Sequence, residues 1–384
     1  MQARSGARPK LLAYYFPDWH LDERNQSWFG DGWSEWHLAR DATARFEGHR
    51  QPRVPLCGYI DEATADEAER QIDLAADHGV DGFLIDYYWY GDGPYLQRAL
   101  DDGILAARNA GRIEFALMWA NHNLVDIFPS ASPHAQHALL KNGAVDRAGF
   151  DAMAEHIVEK YFRHPSYLTV DGRPWFSIYE LGQLIGGLGG VDETRDALES
   201  LDRRAQDAGF PGVHLDAVMW GFSVLPDGVG TENPALLLEL LGFRSATSYV
   251  WIHHTDVSNA SFPSGDWPSV ESDAFGQYHD FARTLPVPFY PNVTVGWDSS
   301  PRTAQDRPFT RGGYPWIPTF DPGPAQFKHG LERARAFLDQ TTPAHPVVTI
   351  NAWNEWTEGS YLLPDTVHGT AHLEAVRDVF GVRP

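Results

Sequence analysis

The chain of 384 residues carries 52 acidic against 30 basic side chains, and its formal charge of −22 argues against nucleic acid or an anionic membrane surface as partner. With 43% hydrophobic residues it can bury a large core, which excludes a disordered polymer. The one cysteine, Cys57, rules out an intrachain disulfide and any thiolate zinc site.

The N-terminus is polar and basic, so residues 1–10 are expected to be flexible. The apolar run that follows, 11–16, is too short for a secretion signal, and no stretch is long enough to insert in a membrane. The expectation is a soluble chain, cytoplasmic as it stands, or secreted or periplasmic if a leader had been removed.

Strand-like runs fall at 11–17, 82–89, 114–119, 175–180, 214–220, 246–252, 289–297 and 347–353. Helical patterns lie between them, at about 62–78, 94–110, 148–163, 192–208, 233–241, 270–284, 324–341 and 367–380. In the first of these, Ala65, Ala68, Ile72, Ala75 and Ala76 make an apolar stripe, and Gly79 supplies the stop. Strand–helix alternation predicts an α/β fold, a single (β/α)8 TIM barrel over 1–384. Long segments at 18–61, 120–147, 253–269 and 298–323 follow strands, which puts elaborated loops on the C-terminal face. The run Gly186-Gly-Leu-Gly-Gly190 lacks dinucleotide-binding spacing and reads as a flexible turn.

Polar and aromatic groups gather where the strands end. The first gives Tyr14 and Tyr15, the second Asp86, Tyr88 and Trp89, the third Trp119 and Asn121, the fourth Glu180. The fifth gives Trp220, the sixth Trp251 and His253, the seventh Trp297, and the eighth Asn354, Glu355 and Glu358. Any one of these rings could be core packing. Recurrence at every strand end predicts a shared cavity, and aromatic faces favour carbohydrate.

The segment Asn351-Ala-Trp-Asn-Glu-Trp-Thr-Glu-Gly359 is the most informative. It sets Glu355 and Glu358 just past a strand, three residues apart and between indoles, as acid/base chemistry on a sugar requires. A helix N-terminus would explain the same carboxylates by capping. No metal spacing, phosphate loop or Asp-x-Asp occurs, so no metal or cofactor is expected and a nucleotide-sugar donor is disfavoured.

Several stretches match a known family: Ala13-Tyr-Tyr-Phe-Pro17, Gly32-Trp-Ser-Glu-Trp36, Ala75-Ala-Asp-His-Gly-Val-Asp-Gly-Phe83, Tyr87-Tyr-Trp-Tyr90, Trp119-Ala-Asn-His-Asn123, Asp171-Gly-Arg-Pro174, Asn351–Gly359 and Tyr361-Leu-Leu-Pro-Asp365. In these the chain resembles the glycoside hydrolase family 99-like, or WbsX-like, proteins of bacterial polysaccharide gene clusters. The resemblance implies a retaining hydrolase of α-linked manno-configured (mannose or rhamnose type) sugars, with an oligo- or polysaccharide substrate. It makes Glu355 the base that deprotonates the sugar 2-OH, through a 1,2-anhydro intermediate, and Glu358 the general acid/base. A transferase or transglycosylase of polysaccharide assembly, or a non-catalytic sugar-binding barrel, are the alternatives.

Overall fold

The computed structural model describes residues 8–221 and 233–383; of the expected flexible end, residues 1–7 lie outside them. Eight parallel strands make a nearly closed barrel: β1 (Lys10–Tyr15), β2 (Gly82–Tyr90), β3 (Glu114–Trp119), β4 (Arg173–Ile178), β5 (His214–Val218), β6 (Ser245–Thr247), β7 (Asn292–Thr294) and β8 (Val347–Asn351). The ladder runs β6-β5-β4-β3-β2-β1-β8-β7, with Leu12 opposite Gly82 and Ala13 opposite Ile350. Between β6 and β7 the seam is closed at Ala246, whose N–H donates to Pro288 at 3.0 Å and whose carbonyl accepts from Tyr290 at 2.8 Å. All nine residues of β2 are buried, as expected of a strand covered on both faces.

The helix Ala65–Asp77 buries Ala68, Ile72 and Ala75 of the predicted stripe, and Gly79 at φ +84° turns the chain into β2. Other elements depart from their expected extents. Strands β6 and β7 are shorter than their apolar runs, because Pro286, Pro288 and Pro291 remove ladder donors and the chain turns at Trp251–His254. The helix expected over 94–110 is only a π turn, Ala99–Ile104, and a 3-10 turn, Ala110–Arg112. Gly93 and Pro94 pair back onto β2 instead, and a Cβ at Gly103 would stand 2.4 Å from the Glu62 carbonyl oxygen.

The glycine run is a further correction. Leu181–Leu188 is helical, and only Gly189 and Gly190 form the turn into the helix Val191–Asp207. Gly187 is needed there because a Cβ would lie 2.5 Å from the Val145 carbonyl oxygen. No helix among the described residues is long and apolar enough to cross a membrane.

Candidate active site

At the C-terminal end of the barrel lies an open cavity, which together with the solvent space at its mouth measures about 910 Å³. Its floor is set by β8. After Asn351 the chain pairs Asn354–Glu355 with Ser360–Tyr361, and a single 3-10 turn, Trp356–Glu358, sits between them. Glu355 and Glu358 therefore come from a tight hairpin rather than the first turn of an α-helix. Gly359 closes that turn at φ +64°, where a Cβ would stand 2.7 Å from that of Asp298.

Arg302 joins the pair. Its Nη2 donates to Glu355 at 2.7 Å and its Nη1 to Glu358 at 2.5 Å, so the two carboxylates sit on neighbouring nitrogens of one guanidinium. The same group donates to Glu35 at 2.9 Å and to the Tyr314 hydroxyl at 2.5 Å, and Tyr314 donates to Glu358 at 2.7 Å. Phe16 and Phe128 flank the guanidinium at 5.7 and 5.3 Å. Burial works against the charge of Arg302, but Glu35, Glu358 and Glu355 outweigh it and keep it protonated.

Burial pushes both catalytic candidates upward. Glu355 is raised well above the usual carboxylate range by desolvation, opposed by Arg302 and reinforced by Glu358 and Glu35. Glu358 is also raised by burial, but Arg302 and the Tyr314 hydroxyl pull it back. Asp86 is raised well by burial, and Asp18 by burial and by Glu35 beside it. Three buried carboxyls, Glu35, Glu355 and Glu358, thus share one guanidinium, and Asp18 and Asp86 are buried in the same cavity wall without reaching it.

Behind the turn, Asp298 is buried yet held well below its ordinary value by His49 and Arg53. Its backbone N–H donates to the Glu358 carbonyl at 2.5 Å, which fixes the hairpin from outside the cavity.

The expected site residues divide by placement. Asp86, Tyr88, His253, Trp297, Glu355 and Glu358 line the cavity. Asp86 Oδ2 accepts from Tyr249 at 3.1 Å, whereas Asp86 Oδ1, His253 Nδ1 and Trp297 Nε1 have no hydrogen-bond partner among the described residues. These are the groups with capacity left for a ligand.

The remaining expected residues lie elsewhere. Tyr14 points into the barrel and donates to the Ser248 carbonyl at 3.2 Å, while Tyr15 packs on Phe83. Trp119 donates to the Trp89 carbonyl at 3.3 Å and its ring faces Phe150; Trp89 packs on His156. Both rings belong to the packing behind the strands. Trp251 donates to the Asn292 carbonyl at 2.8 Å and packs on Trp267. Trp220 stacks on His253 at 4.3 Å and so backs a lining residue.

Asn121 and Asn354 act on backbone. Asn121 exchanges two 2.8 Å bonds with the main chain of buried Glu180. Asn354 accepts from the N–H and donates to the carbonyl of Phe16, both at 2.8 Å, and donates to Glu62 at 2.8 Å. His253 and His254 do not converge: His254 is bonded to Ser248 and Gln277.

Arg302, Glu35, Tyr249 and Tyr314 were not among the residues expected in the site. Glu35 stands between two tryptophans in Trp33-Ser-Glu-Trp36, as Glu355 stands in Trp353-Asn-Glu-Trp356, and that echo was a usable signal. Arg302 sits in the Pro- and Arg-rich loop after β7, with nothing local to mark it.

The model of the family described as "Glycosyltransferase WbsX" matches residues 11–376. Two curated relatives, each an "Uncharacterized protein WxcX" from Xanthomonas campestris pv. campestris, are 28% identical over 382 residues, covering 97% of this chain and 50% of the relative. The chain therefore spans about half the length of the curated relatives it matches. Among solved structures, the GH99 endo-alpha-mannosidase from Bacteroides thetaiotaomicron superposes with a TM-score of 0.55 at 14% identity, over 97% of this chain and 96% of that one. A "Glycoside hydrolase-like protein" gives 0.62 at 13% identity, over 98% and 95%. At such identities the likeness is one of fold, and it is to a barrel that glycoside hydrolases use.

Proposed function

The chain belongs to the WbsX glycosyltransferase family, and on that premise we propose that it is a carbohydrate-active enzyme, a retaining glycoside hydrolase that cleaves α-linked manno-configured sugars. The observation that carries this reading is the Glu355–Glu358 pair, buried together on one guanidinium at the end of β8. Glycoside cleavage needs one carboxyl that enters protonated and one that enters ionised. A coupled pair with raised values provides both from the same element.

In the proposed reaction Glu358 gives its proton to the leaving oxygen as the glycosidic bond breaks. Glu355 takes the proton of the sugar 2-OH, and that oxygen closes on the anomeric carbon. An axial 2-OH, as in mannose or rhamnose, stands opposite the leaving group, so the ring can close. Water, deprotonated by Glu358, then opens the 1,2-anhydro sugar from the first face, with net retention, and Glu355 returns its proton to O2. Asp86, His253 and Trp297 orient the sugar through their unpartnered atoms. Burial raises Glu355 strongly, whereas Arg302 and the hydrogen bond from Tyr314 pull Glu358 back, which opposes this order of roles; the pH profile of Tyr314→Phe decides it.

The family's description points to transfer, and the same carboxyls could pass a sugar to another hydroxyl. A nucleoside diphosphate donor, however, would bring its charge among the four carboxyls and one arginine that line the cavity. The test is product analysis by NMR and mass spectrometry on α-mannans, α-rhamnans and bacterial exopolysaccharides, with Glu355→Gln and Glu358→Gln as controls. The expected first product is an α-configured reducing sugar, from the wild type alone. Products formed only on an added sugar acceptor would establish transfer, and a folded wild type that changes no glycan would sink both readings.

A further inference from the structure

A row of aromatic side chains leads out of the cavity. Phe128 lines the wall, its ring over Arg302. Trp33 lies 6.2 Å from Phe128, its plane tilted by only 24°. Phe29 fills the angle between them, 4.5 Å from Trp33 and 5.8 Å from Phe128. His37 extends the row at 6.5 Å and 10°. Phe29, Trp33 and Phe128 are each only half-buried, and His37 is exposed.

The backbone holds this row in place. Helix Glu23–Phe29 ends at Gly30, and Gly30 and Gly32, at φ +109° and +77°, reverse the chain with nothing within 4 Å of where their side chains would be. The Trp33 N–H closes the turn on the Gly30 carbonyl at 3.1 Å. Two residues further on, Glu35 is locked to Arg302 at 2.9 Å, so the row is registered to the catalytic pair. Large rings normally go to the core. Here Trp33 and Phe128 stay half-open and His37 exposed, their ring planes nearly parallel, and Phe128 joins the row to the cavity wall.

We infer that Phe29, Trp33, Phe128 and His37 form a remote sugar subsite, which stacks a saccharide unit of the substrate beyond the one held in the cavity. A pyranose offers a flat C–H face to such a ledge while its hydroxyls stay in water. The substrate is therefore an oligo- or polysaccharide chain rather than a simple glycoside. This rests on the carbohydrate reading of the cavity and adds chain length to it.

The test compares wild type, Trp33→Ala, Trp33→Phe and Glu358→Gln, each checked for folding by circular dichroism. Soluble α-mannan and α-rhamnan are the polymer probes, read by affinity-gel retardation and by reducing-end release. The 4-nitrophenyl α-mannoside and α-rhamnoside are the short probes. Trp33→Ala should lose polymer retardation, and its kcat/KM should fall roughly tenfold more on polymer than on the aryl glycoside. Trp33→Phe should restore retardation, and Glu358→Gln should keep it. Equal losses on both probes, or polymer retardation indifferent to Trp33→Ala, would overturn the subsite. So would a wild type that no polymer retards, whatever its aryl turnover. A wild type retarded in a Trp33-dependent way that cleaves nothing would uphold the subsite and remove the hydrolase reading, so the two fail separately.

Discussion

Arg302 sets the electrostatics of the cavity residue by residue. It holds Glu35, Glu355 and Glu358 at once, and breaking one buried ion pair of this kind costs about 3–5 kcal/mol because a charge is left alone. Tyr314 touches only one of the proposed catalytic pair, so it can tell their roles apart. Removing its hydroxyl in Tyr314→Phe takes away a donor that stabilises the Glu358 carboxylate, and the Glu358 value rises. If Glu358 supplies the proton, the alkaline limb of the kcat/KM profile moves to higher pH and the acid limb stays. Movement of the acid limb instead would make Glu355 the proton donor. The placement of Glu355 and Glu358 side by side was legible in the sequence because a strand pattern positions the residues just past its end. Arg302 and Tyr314 were not, since periodicity says nothing about where a side chain on an irregular loop points.

At the scale of elements, the sequence marked eight strand runs but not how far each ladder extends. Apolar runs continue past β6 and β7 because the same residues that would extend a strand also pack behind the cavity. Trp251 illustrates this: expected at a strand end as a sugar contact, it packs instead between β7 and the helix Pro324–Thr341. That helix comes close enough to require Gly330, where a Cβ would lie 2.8 Å from the Trp251 ring and 3.1 Å from Val293. Gly330→Ala gains up to about 1 kcal/mol of helix propensity but pushes a methyl into a packed layer at a cost of about 1–3 kcal/mol. Net destabilisation of roughly 1 kcal/mol is expected, read as a lower midpoint in denaturant. An unchanged or higher midpoint would show that the helix can slide away. The helix Leu181–Leu188 was hidden for the same kind of reason, because Gly187 serves close approach to the Val145 carbonyl and not flexibility.

Across the whole molecule, the barrel interior carries a carboxyl of its own. Asp216 on β5 accepts from Ser177 of β4 at 2.9 Å, and from Ser245 and Thr247 of β6 at 2.6 and 2.8 Å, and so ties three strands together. Burial pushes it from 3.8 up to about 7 despite those donors. Its folded value lies above its unfolded one, so its contribution to stability is full below pH 3.8 and is lost as the pH climbs to about 7. The advantage of wild type over Asp216→Asn in denaturant melts should therefore shrink across that window, by on the order of a few kcal/mol, and then level off. A constant difference from pH 4 to 8 would mean that Asp216 does not titrate there. The alternation of strands and helices made the barrel legible at this scale, whereas polar contacts inside it were not, because each is set by register between strands far apart in the chain. Such contacts also impose an order in time. Asn354 clasps Phe16 across 338 residues, and Trp353 donates to Tyr14 at 2.7 Å. Between the emergence of those two partners from a ribosome lies a delay on the order of half a minute. Throughout that interval β1 waits with its far edge open, and the cavity that holds Glu355 and Glu358 does not exist until β8 docks against β1.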